Sequence, residues 1–182
     1  MISKEKLRKK FLFLRKKRYF SVNINFFKPL FKILKIKKSK SISLYYPSNY
    51  EVDTLSLFKF LQRKKNISTY LPKLLPNGKM KFFSWNFKDP LIVNKFGFLE
   101  PSNKTKSTIP DIIIVPLLAF DRFRNRLGYG KGYYDKFLSN YYGNKKRILT
   151  IGLAFYFQKY KKIPITKSDI KLDFILTEKG IL

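Results

Sequence analysis

The sequence predicts an α/β fold: a single domain over residues 1–182, with a mainly parallel open sheet flanked by helices in a Rossmann-like three-layer topology. Segments with the periodicity of amphipathic helices alternate with short apolar runs that suit strands. One run, Ile112–Val115, is apolar throughout, as expected for a central parallel strand buried on both faces. The length of 182 residues suits one domain with a sizeable core.

Four segments are predicted to be helices. Leu7, Phe11 and Leu14 recur with i, i+4, i+7 spacing in the first segment. Asp53 or Thr54 is the expected N-cap of the third. The predicted helices cover residues 3–19, 26–36, 54–63 and 133–141.

The apolar runs between these helices are predicted to be strands. Pro72 is expected to close the second of them, and Asn77-Gly78 is a turn signal between the second and the third. The predicted strands are Ile42–Tyr46, Ile67–Leu71, Met80–Trp85, Ile112–Val115 and Arg147–Ala154, and Phe174–Thr177 is expected to close the domain.

The composition limits the chemistry that the chain can perform. It contains no cysteine, so disulfides, thiolate nucleophiles and cysteine metal sites are excluded. It also contains no histidine, the commonest general base and zinc ligand. Any catalysis must therefore use carboxylates, Lys, Arg, Tyr, backbone amides and a hard metal ion.

The formal net charge is +29, which is typical of nucleic-acid-binding proteins. However, the lysines are spread along the chain and do not cluster on one element. Lys, Phe, Ile, Asn and Tyr all have A/T-rich codons, so a biased genome would give this composition to any protein. We therefore expect a general attraction to polyanions and no dedicated nucleic-acid partner.

No apolar run approaches the ~18–20 residues needed to span a bilayer, so no membrane partner is expected. The apolar patch Phe11–Leu14 near the N-terminus is too short for the core of a signal peptide. The sequence therefore predicts a cytoplasmic protein, and we expect it to be a monomer.

The most informative stretch runs from Asp111 to Leu138. Three of the eight glycines fall within Gly128–Gly132, with Arg126, Lys131 and Asp135 around them. Glycines that allow positive φ, together with free N–H groups beside a cation, form a concave site for phosphates. The spacing matches neither a P-loop nor a dinucleotide-binding turn. For the glycine pattern alone, an ordinary surface turn is an equally good interpretation.

The whole stretch resembles the signature of the 5-formyltetrahydrofolate cyclo-ligase family. The matching residues are Val115-Pro116, Ala119-Phe120-Asp121 and Asn125 through Asp135, which include the run RLGYGKGYYD. The resemblance implies an enzyme that uses ATP to convert 5-formyltetrahydrofolate into 5,10-methenyltetrahydrofolate, with release of ADP and phosphate. It also implies that the formyl oxygen attacks the γ-phosphorus and that N10 then closes the ring.

The resemblance also implies a nucleotide site. Lys4 and Arg8 lie four residues apart on one helix face, and they match a Lys/Arg pair that holds ATP in the family. Without the resemblance, this pair would be read as a solvated basic face. The expected catalytic residues are Arg126 and Lys131. The expected ATP-binding residues are Lys4, Arg8, Arg126, Leu127, Gly128, Tyr129, Gly130, Lys131, Gly132, Tyr133 and Tyr134.

Glu51 is the main candidate for recognition of the folate. In the family, a glutamate at this point hydrogen-bonds the pterin ring, whose adjacent N–H and amino donors suit a carboxylate. An exposed acid near a helix start is the alternative. Phe96 begins an aromatic-Gly-x-x-Glu-Pro segment that borders the folate pocket in the family, although a core position is equally plausible for it. The expected substrate-binding residues are Tyr46, Glu51, Phe96, Tyr129 and Tyr133.

Asp135 and Asp169 are the candidate metal ligands, because both match the family and carboxylates suit Mg²⁺. A turn cap is the alternative for Asp169, and Asp173 is a competing ligand. Two other functions stay open at this point. One is a basic nucleic-acid-binding protein, and the other is a catalytically degenerate member of the same fold.

Overall fold

The computed structural model describes residues 2–64, 66–102, 106–141 and 148–182. Its helices are α1 (Lys4–Arg18), α2 (Lys28–Ile36), α3 (Leu55–Gln62) and α4 (Tyr133–Ser139), with 3₁₀ turns at Ile24–Phe27 and Tyr156–Gln158. Its strands are β1 (Ser41–Ser43), β2 (Ser68–Leu74), β3 (Met80–Ser84), β4 (Leu91–Val93), β5 (Leu99–Pro101), β6 (Ile112–Pro116), β7 (Ala119–Phe120), β8 (Arg126–Leu127), β9 (Leu149–Leu153), β10 (Phe174–Thr177) and β11 (Gly180–Ile181).

Within the described residues, seven strands form one sheet in the order β11–β10–β9–β6–β1–β2–β3. The five inner strands run parallel to one another, whereas the edge strands β11 and β3 pair antiparallel with β10 and β2. The predicted α/β fold with a mainly parallel sheet is therefore confirmed. Residue 147, where the fifth strand was predicted to begin, lies outside the described residues.

The strand β6 lies at the centre of this sheet and is buried on both faces, as predicted. Ile112 and Ile114 belong to the cluster that includes apolar residues of α2 and α3. Ile113 and Val115 point to the other face and join a second cluster, which includes Phe137 of α4. This alternation follows from the two-residue period of a strand, and it places helices on both faces of the sheet.

The predicted end of β2 at Pro72 is wrong, because the strand continues to Leu74. The parallel partner β1 pairs only as far as Tyr70, whereas β3 pairs along the rest of β2 and faces Pro72 with Phe82. From Pro72 onward the strand has one paired edge, and proline is tolerated at such positions. The predicted strand from Ile42 to Tyr46 is shorter than expected and ends at Ser43.

The hairpins β4–β5 and β7–β8 were not predicted. The loop of the second hairpin is organised by Asp121, whose buried carboxylate accepts hydrogen bonds from the backbone N–H groups of Phe123 and Asn125. The predicted helix over residues 133–141 begins at Tyr133 but ends at Ser139.

Helix α1 packs on the β7–β8 hairpin, which follows the carboxyl end of β6. Leu7 and Phe11 of α1 form a buried cluster with Leu118, Ala119 and Leu127. The glycine-rich segment directly follows β8, so the helix and the segment meet beyond the carboxyl end of the central strand. Open α/β sheets bind ligands in this position. Among the described residues, no helix has the length and apolar character to cross a membrane.

Candidate active site

A cavity of about 700 Å³ lies at this edge of the sheet, within the size range of small-molecule sites. Every site residue predicted from the sequence lines it. These residues are Lys4, Arg8, Tyr46, Glu51, Phe96, Arg126, Leu127, Gly128, Tyr129, Gly130, Lys131, Gly132, Tyr133, Tyr134, Asp135 and Asp169. The fold therefore brings together residues that are up to 165 positions apart in the chain.

The glycine-rich loop has the backbone conformation that its sequence predicts. Gly130 and Gly132 adopt φ angles of 101° and 67°, in the region that favours glycine. A Cβ atom at Gly130 would lie 3.1 Å from Cζ of Arg8, so a larger residue there would displace the end of the Arg8 side chain in addition to straining the backbone. The Arg8 Nε atom also donates to the carbonyl oxygen of Gly128 at 3.0 Å. Within the described chain, the backbone N–H groups of Gly130, Lys131 and Gly132 donate no hydrogen bond.

Two aromatic side chains lie beside this loop. The Lys131 ammonium group is 5.3 Å from the centroid of the Phe96 ring, and the ring of Tyr133 is 6.0 Å from the same centroid. Phe96 is partly exposed and lines the cavity, so the alternative of a core position is wrong for this residue. Lys131 is exposed, which leaves its charge available to a ligand.

Arg126 is buried beneath the loop and is held by the protein. Its Nη2 atom donates to Oδ1 of Asp135 at 2.7 Å, and its Nη1 atom donates to the carbonyl oxygen of Ile170. Burial lowers the pKa of Arg126, and the adjacent Asp135 carboxylate opposes this effect. These bonds use two of the five N–H donors of a guanidinium group. Arg126 therefore links the first turn of α4 to the segment around residue 170. Its other N–H groups stay available to an anion.

Asp169 is linked to the N-terminal helix. Its Oδ2 atom accepts from Nζ of Lys4 at 2.5 Å, and also from the backbone N–H and hydroxyl groups of Thr166. Burial alone would raise the pKa of Asp169, but the hydrogen bonds from Lys4 and Thr166 lower it below its ordinary value. The carboxylate thus caps a turn, as the alternative interpretation has it, and also lines the cavity.

Both candidate metal ligands keep one carboxylate oxygen free of hydrogen bonds from the described residues. Asp135 uses Oδ1 and Asp169 uses Oδ2, which leaves Oδ2 and Oδ1, respectively. The described parts of the chain contain no group of three or more Asp or Glu side chains arranged so that they could hold a metal ion. Mg²⁺ suits such a site, because it commonly takes one or two carboxylates and fills its shell with water and phosphate oxygens. The competing candidate Asp173 does not line the cavity and accepts from Thr150.

Glu51 is buried in the cavity wall, so the alternative of an exposed acid is wrong. Its Oε1 atom accepts from the Tyr129 hydroxyl at 2.5 Å, and its Oε2 atom accepts from the backbone N–H of Ser48 at 2.9 Å and its hydroxyl at 3.3 Å. Burial raises the pKa of Glu51, and the nearby Arg15 guanidinium, Tyr129 and Ser48 oppose the rise. A carboxylate has about four acceptor positions, and Glu51 uses three of them in these hydrogen bonds.

Arg15 is the important residue that the sequence reasoning missed. Its side chain is 1% exposed, and its Nη2 atom donates to the Tyr129 hydroxyl at 2.7 Å and to the carbonyl oxygen of Asn49. Its Nη1 atom lies 4.0 Å from Oε1 of Glu51. A usable signal was present, because Arg15 continues the four-residue spacing of Leu7 and Phe11 along the buried face of α1.

Comparisons with known proteins identify the family of the chain. The sequence matches the 5-formyltetrahydrofolate cyclo-ligase family over residues 2–178. It is 34% identical over 151 residues to 5-formyltetrahydrofolate cyclo-ligase from Haemophilus influenzae, covering 79% of each chain. It is 31% identical over 147 residues to the protein of that name from Escherichia coli strain K12, covering 78% of this chain and 79% of the other.

A solved structure shows the same relationship. The NMR structure of 5,10-methenyltetrahydrofolate synthetase from Aquifex aeolicus superposes with a TM-score of 0.78 at 32% identity, covering 99% of this chain and 92% of that one. The resemblance seen in the glycine-rich stretch is therefore confirmed over nearly the whole length. The chain belongs to the 5-formyltetrahydrofolate cyclo-ligase family of enzymes.

Proposed function

We propose that this protein catalyses the ATP-dependent cyclisation of 5-formyltetrahydrofolate to 5,10-methenyltetrahydrofolate, with release of ADP and phosphate. One observation carries the proposal: the residues matched to the family's ATP, folate and metal sites all line one cavity of about 700 Å³. The monomeric state, the lack of a dedicated nucleic-acid partner and the cytoplasmic location stay predictions.

The glycine-rich loop and α1 would hold the triphosphate. The N–H groups of Gly130–Gly132 and the exposed ammonium of Lys131 supply donors and positive charge. The guanidinium of Arg8 lies against the same loop, and Arg126 adds its remaining donors from below. This concentration of donors around one loop supports a polyphosphate ligand, because phosphoryl transfer depends on positioning and charge neutralisation.

Asp135 and Asp169 would hold Mg²⁺ through their remaining carboxylate oxygens. When bound, this ion supplies charge neutralisation at the phosphate oxygens of the nucleotide. The protein contributes the position of the ligands. Arg126 fixes Asp135, and Lys4 with Thr166 fixes Asp169, so both carboxylates are held in place by the protein.

Glu51 and the surrounding aromatic side chains would hold the folate. The open acceptor position of Glu51, together with the one that the Ser48 hydroxyl fills weakly, can receive the adjacent ring N–H and amino donors of the pterin. Tyr46, Phe96 and Tyr133 line the cavity and offer apolar ring surface. Tyr129 lies in the nucleotide-facing loop and donates to Glu51, so the two halves of the site share one residue.

The reaction then needs no histidine or cysteine. A lone pair of the formyl oxygen forms a bond to the γ-phosphorus, and the bond between this phosphorus and the ADP oxygen breaks. N10 next attacks the formyl carbon, the carbon–oxygen bond breaks, phosphate leaves and the N10 proton passes to solvent. Phosphorylation thus converts a poor leaving group into a good one, while the enzyme positions the two substrates.

Incubation of the purified protein with 5-formyltetrahydrofolate, ATP and Mg²⁺ tests this proposal. We expect the near-ultraviolet absorbance of the methenyl product to rise with one ADP formed per product. Omission of ATP should stop the reaction, and chelation of the metal by EDTA should stop it until Mg²⁺ is restored. No methenyl product in the complete mixture, from folded protein, would refute the function.

Substitution of Lys131 tests the nucleotide half of the site. Lys131→Ala should lower kcat/KM by about 10²–10³-fold, because it removes a cation from the developing phosphate charge. The free energy of unfolding should change by less than about 0.5 kcal/mol, since Lys131 is exposed. Lys95→Ala is the matched control, because Lys95 contacts the same Phe96 ring at 5.4 Å but does not line the cavity. Equal activity of the two variants would contradict the role of Lys131.

The pH dependence of folate binding tests the role of Glu51. Burial raises its pKa, so the free site takes up a proton at a higher pH than an ordinary glutamate, whose pKa is 4.5. Protonation removes an acceptor, so affinity for 5-formyltetrahydrofolate should fall as the pH drops through the raised pKa, above pH 4.5. Stability has the opposite sign: the penalty of burying ionised Glu51 disappears as the pH falls through that range, so the free energy of unfolding should rise there while the affinity falls. Calorimetric titration should show the fall in wild type and not in Glu51→Gln, and its persistence in the variant would exclude Glu51 as the cause.

A further inference from the structure

Tyr134 carries a buried hydroxyl group that the protein does not use. Among the described residues its oxygen has no hydrogen-bond partner, and the residue lines the cavity. Native proteins pair nearly all their buried polar atoms, because an unpaired one has lost its bonds to water without replacement. Tyr129, from the same motif, shows the contrast, since its hydroxyl bonds to both Arg15 and Glu51. The hydroxyl of Tyr134 therefore has no acceptor among the described residues. A ligand in the cavity can supply one.

Tyr134 lines the same cavity as groups assigned to both proposed halves of the site. Glu51, the proposed pterin anchor, and Arg126, which faces the proposed phosphate site, line this cavity as well. A tyrosine hydroxyl is a neutral donor at physiological pH. The hydroxyl is therefore available to an acceptor on a ligand that occupies both halves.

The chemistry of the substrate places an acceptor in the same space, if the proposed function holds. Along one edge of the pterin, the 2-amino group and N3–H are followed by the C4 carbonyl and then by N5, which carries the formyl group. Glu51 would take the first two donors, and the formyl oxygen must face the γ-phosphate above the loop at Gly128–Gly132. A formyl oxygen held in this way would lie between Glu51 and Arg126, in the cavity that Tyr134 also lines.

We infer that the Tyr134 hydroxyl donates a hydrogen bond to the formyl oxygen of the substrate and so selects N5-formyl over N5-alkyl folates. The bond fixes rotation about the N5–formyl bond and points the oxygen at the γ-phosphorus. After transfer, the same oxygen bridges carbon and phosphorus. A donor at that oxygen then stabilises the charge that accumulates when the carbon–oxygen bond breaks.

A comparison of two ligands on Tyr134→Phe tests the inference. 5-Methyltetrahydrofolate has the same ring and lacks the oxygen. Calorimetry should show that Tyr134→Phe weakens binding of 5-formyltetrahydrofolate about 3- to 10-fold, the value of one hydrogen bond, and leaves 5-methyltetrahydrofolate within twofold of wild type. The melting temperature should not fall, because no protein hydrogen bond is lost. Tyr141→Phe, which removes a hydroxyl just beyond α4 and outside the cavity, should change neither affinity.

The outcomes separate this inference from the proposed function. If Tyr134→Phe weakens the binding of both ligands equally, Tyr134 contacts the ring and not the formyl group, and the inference is overturned. Unchanged binding of both ligands would overturn it as well. Either result leaves the cyclisation activity of wild type untouched. Failure of wild type to bind 5-formyltetrahydrofolate or to form the methenyl product would instead remove the proposed function itself. Because both ligands are measured on the same protein, their affinity ratio decides the question even if the variant is less stable.

Discussion

The rest of the site depends on the buried contact of Arg15 with Glu51 and Tyr129. The guanidinium of Arg15 joins three elements: the helix α1, the turn that ends at Glu51, and the glycine-rich loop that contains Tyr129. An isolated buried charge is very unfavourable, so the charges of Arg15 and Glu51 stabilise each other in this buried position. Lys4 and Arg8 lie on the same helix, and the position of Arg15 therefore also determines where they meet the loop and Asp169.

This arrangement has an energetic conflict that suits a binding site. Burial favours the neutral form of Glu51, whereas the cation of Arg15 and the donors from Tyr129 and Ser48 favour the carboxylate. A ligand with two adjacent donors would add two hydrogen bonds to the carboxylate and so favour its ionised form. The proposed pterin is such a ligand. The unpaired hydroxyl of Tyr134 is a similar case, since its missing partner belongs to the same proposed substrate.

Much of the fold and the site could be predicted because the informative signals were local. The uninterrupted apolar run of β6 identified the central strand, and the run from Arg126 to Asp135 identified the loop and its family. Both were confirmed. The positive φ angles of Gly130 and Gly132 agree with the glycine pattern. The roles of the individual residues stay predictions, although the structure places them all around one cavity.

The remaining features could not be predicted because they depend on contacts between distant segments. The spacing of Arg15 from Leu7 and Phe11 places it on the buried face of α1, but its contacts with Glu51 and Tyr129 could not be predicted from that spacing. The pairs Lys4–Asp169 and Arg126–Asp135 show that residues expected to face ligands also hold the protein together. The prediction that β2 ends at Pro72 was wrong, because a proline is tolerated in a strand where a neighbouring strand no longer pairs with it. The sequence does not show how far β1 pairs along β2.

The pH profile of folate affinity in two helix α1 variants tests the central role of Arg15 most directly. Arg15→Met should move the loss of 5-formyltetrahydrofolate affinity to a higher pH than in wild type, because it removes the cation that lowers the pKa of Glu51. Lys16→Met, at the exposed neighbouring position, should leave the profile unchanged, and Arg15→Lys, which keeps the charge, should shift it less. An Arg15→Met profile that coincides with wild type would contradict the account.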